Sequence, residues 1–148
     1  MGLFDQGNTT VKATDIKLEP AEAFAALALI AVAADGVITE SEKQGINSIL
    51  ARMELFSSYS EERKREMIDR LLGMIKNKEM KPLFDAAIAA VPKNLKETVF
   101  AVSTDLVLAD SDIAEEEEQL LDELCNALEI SEEIATSIID VMLIKNKG

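Results

Sequence analysis

From Ala23 to Ala34 the chain runs through twelve apolar residues, "AFAALALIAVAA", without a polar interruption. A helix apolar around its whole circumference is one enclosed by other helices. Twelve residues fall well short of the roughly 20 that cross a bilayer, so the run predicts a buried core helix. Pro20 and Pro92 sit where a first-turn proline belongs and predict helices over 20–34 and 92–109. Thr39-x-x-Glu42 is a capping box and opens a helix over 39–55, with a counterpart over 114–128. Ser60 and Ser131, each followed by two Glu, cap helices over 60–77 and 131–144. Pro82 opens a shorter one over 81–91. The fold class expected is all-α with about seven helices. Residues 1–18 have no clear helical period and are expected as an irregular arm before a single domain over 19–148.

The pattern repeats. A shift of 75 places brings Asp35 onto Asp110, Ile38 onto Ile113, Glu40 onto Glu115, Glu42 onto Glu117 and Gln44 onto Gln119. Apolar positions follow, with Phe24 on Val99, Val32 on Val107, Ile46 on Leu121 and Leu55 on Ile130. A period of this kind fixes architecture. Two pseudo-symmetric three-helix halves joined by the short helix are expected.

Composition agrees with helices: 48% of residues are apolar, 4% aromatic, and six Gly and three Pro interrupt the chain. With no histidine, imidazole bases and histidine metal ligands are excluded, and any metal site must be built mainly from oxygens. The single Cys125 cannot form an internal disulfide, and no basic, apolar and small-residue stretch marks a secretory leader, so a cytoplasmic chain is expected. Gly2 is followed by Gln6 where a myristoylation signal needs Ser or Thr.

The net charge of −13 is concentrated: residues 97–144 hold fourteen Asp or Glu and no Lys or Arg. Such a field repels nucleic acid and anionic lipid and attracts cations or basic partners. Arg63, Lys64, Arg65, Arg70, Lys76, Lys78 and Lys81 form the basic side, expected as a solvated face first and an acidic-partner surface second.

Two acidic turns carry the candidate chemistry. "AADGVITESE" (33–42) has the spacing of the second half of an EF-hand loop, in which Asp35 would be the fifth position and Glu42 the twelfth. Ala31 and Ala33 occupy the first and third, and Leu106 and Leu108 do so in the second copy, so neither loop is self-sufficient. For the first copy alone, a turn at Gly36 and a capping Glu42 are explanation enough. The second copy crowds Asp110, Asp112 and Glu115 to Glu118 into nine residues, where like charges three and four apart repel. A divalent cation would relieve that repulsion. Asp105 lies inside an apolar segment and needs a pair, a hydrogen bond or a metal; Arg52 and Arg70 are the bases considered for it. The candidate metal ligands are therefore Asp35, Glu42, Asp105, Asp110, Asp112 and Glu117. Cys125 and the methionines Met67, Met74 and Met142 fall on apolar stripes and are expected as core. No nucleophile, base and orienting group combine into a catalytic constellation.

"VAADGVITESE" (32–42), returning as "VLADSDIAEEE" (107–117) within an all-helical chain, resembles the tellurite-resistance TerB family over roughly residues 20–144. The resemblance implies a bacterial, seven-helix domain of two similar halves, implicated in resistance to tellurite and related chemical stress. It further implies a cytoplasmic component of a complex at the inner membrane, with metal-chelating acids at Asp35, Glu42, Asp110 and Glu117. Ser111, standing where the first copy has Gly36, departs from the pattern. The function expected is a non-enzymatic stress-resistance module that binds a divalent metal ion through the acidic turns and modulates a protein partner. The alternative is a metal-independent acidic adaptor that docks a basic surface on a partner or on a second copy of itself.

Overall fold

The computed structural model describes residues 12–34, 38–109 and 115–147. Among them are seven α-helices, α1 (Pro20–Val32), α2 (Glu40–Arg52), α3 (Glu61–Lys76), α4 (Met80–Ala90), α5 (Lys96–Leu108), α6 (Glu115–Ala127) and α7 (Glu132–Lys145), and no strand. The all-α, seven-helix expectation is met. The 75-residue shift that aligns the sequence carries the bounds of α2 onto those of α6.

The starts obey local chemistry. Thr39 Oγ1 accepts from the Glu42 amide at 3.1 Å, and the Glu42 carboxylate accepts from the Thr39 amide at 2.8 Å, which completes the expected capping box. Ser60 accepts from Arg63 N at 3.0 Å and Ser131 from Ile134 N at 3.3 Å. Pro20 is the first residue of α1. The other two prolines work differently from the expectation. Pro92 precedes a 3-10 turn, Lys93–Leu95, and α5 begins after it. Pro82 is the third residue of α4, not its opener. The first turn of a helix has no use for its amides, so proline is accepted at any of these places.

The stops carry no glycine signal. Lys78 and Glu129 adopt φ of 62° and 57° just past α3 and α6. The amides of Glu79 and Ile130 reach back to the Met74 and Cys125 carbonyls at 3.0 and 3.1 Å. Both ends are Schellman motifs built on a residue that takes the left-handed conformation at a steric cost.

α1 is the hub. Every residue from Ala23 to Ala34 is buried, and α1 packs on α4, α5, α3, α2 and α6. Its many alanines let these neighbours approach closely, while Phe24, Leu27, Leu29 and Ile30 fill the spaces between them. Phe24 meets Phe56 edge-on at 6.4 Å, and Phe56 meets Tyr59 at 5.5 Å, which locks the connection between α2 and α3 to the hub. α5 is the second hub, packed on α1, α7 and α6. Ahead of α1, Ala13–Asp15 form one 3-10 turn against α4, and Ile16 and Leu18 pack on the core.

Candidate functional site

Of the six candidate ligands, Glu42, Asp105 and Glu117 belong to the described residues, while Asp35, Asp110 and Asp112 lie outside them. Glu42 is the third residue of α2, and its Oε1 is engaged by the capping bond. Glu117, its counterpart under the repeat, is the third residue of α6 and only 6% exposed, in contrast to its exposed neighbours Glu115, Glu116 and Glu118.

The flanks of the two turns converge. Val32 at the end of α1, Thr39, Ser41 and Glu42 at the start of α2, and Leu106 and Ala109 at the end of α5 line one cavity of about 350 Å³. Gly45 faces Leu106 there, and a β-carbon on it would stand 3.8 Å away at ordinary contact distance, so the approach does not depend on glycine. The residues that lead into 35–37 and into 110–114 thus come to one end of the helix bundle. Among the described residues no group of three or more His, Cys, Asp or Glu is arranged to hold a metal ion.

Asp105 is held elsewhere. Its Oδ1 accepts from Asn146 Nδ2 at 2.9 Å and pairs with Lys145 Nζ at 3.3 Å, with its side chain 17% exposed. The bases considered from sequence, Arg52 and Arg70, are replaced by one at the far end of α7; Arg70 pairs with Glu22 instead. A sequence signal for this existed, since Lys145 is the first base after the acidic stretch. The bond fastens the end of α7 to α5.

The basic side is largely committed within the chain. Lys64 is buried and pairs with Glu61 at 2.7 Å, the Arg63 guanidinium lies 3.9 Å over the Tyr59 ring, and Lys81 pairs with Asp85 at 2.9 Å. Lys64 thus departs from the expected solvated face. Its methylene stem covers apolar surface while the ammonium finds a carboxylate.

Cys125 is half-buried, and its Sγ lies 3.4 Å from the Ile130 carbonyl. Burial first, then the charges of Asp122 and Glu132, push its thiol pKa upward. This is the opposite of an activated nucleophile. Met67 is core as expected, Met74 packs against the core, and Met142 is partly exposed.

The family description "Tellurite resistance protein TerB" matches residues 21–138. The chain belongs to the TerB family. The match takes in α2 to α6 whole, α1 but for Pro20 and part of α7, together with both acidic turns. It associates this domain with tellurite resistance. No curated protein and no solved structure matches the chain. Among the described residues no helix is long and apolar enough to cross a membrane.

Proposed function

We propose that this TerB domain is a non-enzymatic stress-resistance module whose two acidic turns jointly bind a divalent cation and so modulate a protein partner. The observation that supports the reading is the shared cavity: Val32 and Glu42 beside the first turn and Ala109 beside the second line the same space. Donors on two turns at one end of a bundle can complete a coordination shell that neither half-loop completes alone. The proposed donors are Asp35 and Glu42 from the first turn, and Asp110, Asp112 and Glu117 from the second. Asp105 is left out, because Lys145 and Asn146 already occupy its carboxylate. With no histidine in the chain, hard cations suit this set better than zinc. The module acts in the cytoplasm, with a membrane-associated resistance complex as the partner class.

Calorimetry with calcium, magnesium, manganese and zinc tests the reading. Binding of calcium or manganese in preference to zinc is expected, lost in Asp110→Asn with Glu117→Gln and weakened in Asp35→Asn with Glu42→Gln. No heat with any of the four would refute it. A second reading, the metal-independent acidic adaptor, draws on the base-free stretch 97–144. It requires partner association that is sensitive to salt and indifferent to chelator.

A further inference from the structure

α6 and α7 each pack on α5 and hardly touch one another. Between them run two open cavities, of about 450 and 360 Å³, which share Leu121, Asp122 and Ile139 and so form one groove. Phe100, Thr104 and Leu108 of α5 make its floor. Leu121 and Cys125 of α6 face Ala135, Ile139 and Leu143 of α7 across it. The first half offers an internal comparison. Leu50 and Ile46, the counterparts of Cys125 and Leu121, are 0% and 1% exposed, whereas Cys125 is half-buried and Leu121 is 9% exposed. The apolar stripe of α6 is therefore more open at these two positions than the matching stripe of α2.

We propose that this groove receives a basic amphipathic helix of a partner protein. The claim deepens the reading above, resting on it only for the existence of a partner. Charge selects the occupant: the charged side chains along both cavities are Glu118, Asp122 and Glu132, with no Lys or Arg among the lining residues. An anionic membrane surface or a nucleic acid is repelled by such a rim. A second copy offering its own α7 brings Glu132, Glu133 and Asp140 against the same carboxylates. Length fits as well. From Glu132 to Leu143 the groove follows eleven residue steps of α7, about 16 Å at 1.5 Å per residue, which is three turns of an inserted helix anchored at i, i+3 or i+4, and i+7. Beneath this groove Thr104 is fully buried, and its hydroxyl has no hydrogen-bond partner among the described residues.

The test uses the full chain in chelator, which removes the metal reading from the outcome. The probe is a fluorescent helical peptide of about 14 residues with Leu at the anchor spacing and Lys elsewhere, against a control with Glu for Lys. Saturable binding of the Lys peptide is expected, together with slowing by about tenfold of Cys125 modification by a disulfide reagent, because Cys125 lines the groove. Thr136→Arg, an exposed wall position, and Asp122→Lys should each weaken binding by about tenfold, while Glu62→Lys on α3, an equal change in net charge, should leave it within about twofold. Circular dichroism of each variant separates lost binding from lost fold. Equal losses in Asp122→Lys and Glu62→Lys, or binding without protection of Cys125, would overturn the proposal. So would a dimer of the chain alone that Thr136→Arg dissolves, which would make a second copy the occupant.

Discussion

Replacing Thr104 by Val, or Ser103 by Ala, should stabilise this protein. Both residues are fully buried in α5, and neither hydroxyl has a hydrogen-bond partner among the described residues. A buried hydroxyl without a partner costs about 1 to 3 kcal/mol, the desolvation it suffers on folding with nothing gained in return. Val keeps the branched shape of Thr with a methyl in place of the hydroxyl, and the two differ little in helix propensity. The expected gain for Thr104→Val is about 1 to 2 kcal/mol, which for a chain of this size raises Tm by about 3 to 6 °C. Ser103→Ala should gain a similar amount, to which the better helix propensity of Ala contributes about 0.5 kcal/mol. Urea titration with an unchanged m-value, supported by calorimetric Tm, gives the measurement. The two sites separate two explanations, because Thr104 lines the groove and Ser103 lines none of the cavities described here. Should Ser103→Ala stabilise while Thr104→Val destabilises, the groove supplies Thr104 with water. Destabilisation by both would refute the reasoning, since the hydroxyls would then be paired in solution.

Asp105→Ala removes a mostly buried, charge-assisted anchor of α7 and should cost about 1 to 2 kcal/mol in urea unfolding, with hydrogen exchange accelerated first in residues 139–147. Thr39→Ala removes the hydroxyl half of the α2 capping box and should cost about 1 kcal/mol; an unchanged midpoint would show that α2 starts elsewhere. Glu129→Gly relieves a left-handed residue and should stabilise by about 1 kcal/mol, read as a rise in the urea midpoint. The alkylation rate of Cys125 should follow an apparent pKa raised above that of an ordinary thiol in the folded chain and fall back to the ordinary value in urea. Because the folded pKa is the higher one, Cys125 favours the folded state below the unfolded value and loses that contribution as pH rises through the folded one.

Helix starts were readable where a side-chain cap signalled them, whereas Pro92 marked the start of α5 four residues early. Thr39, Ser60 and Ser131 marked three starts because N-capping is chemistry between residues three apart, visible in the sequence itself. The burial of α1 was readable from twelve apolar residues with no polar face to offer solvent. The stops after α3 and α6 were not, since Lys78 and Glu129 stand where the usual signal is Gly, and tertiary packing outweighs their strain. The partner of Asp105 lies forty residues away and the α6–α7 groove is a gap between helices, and neither has a local pattern. For the candidate site, the sequence supplied the acids. Only the packing of α2 on α5 brought the flanks of the two turns to a common cavity.

That packing bears on how the acids that follow the two turns are accommodated. α1 and α5 both finish beside the cavity that Glu42 lines, and a helix end of this polarity presents carbonyls without intrahelical partners and a partial negative charge. Two such ends would repel the carboxylates of the turns. α2 and α6 start at the turns and present their positive ends, and each places a Glu at its third position, Glu42 engaged in a cap and Glu117 buried. These two helix starts compensate Glu42 and Glu117. The surplus on residues 110–118, five acids beyond a single cap, exceeds what one helix start compensates. Under the metal reading a divalent cation would answer it with oxygen ligation, and under the adaptor reading a basic partner would answer it with charge alone. The Asp110→Asn and Glu117→Gln pair is therefore more informative than any single change, because it removes charge with little change of shape. Under the metal reading it abolishes a saturable heat; under the adaptor reading it only shifts the salt dependence of association.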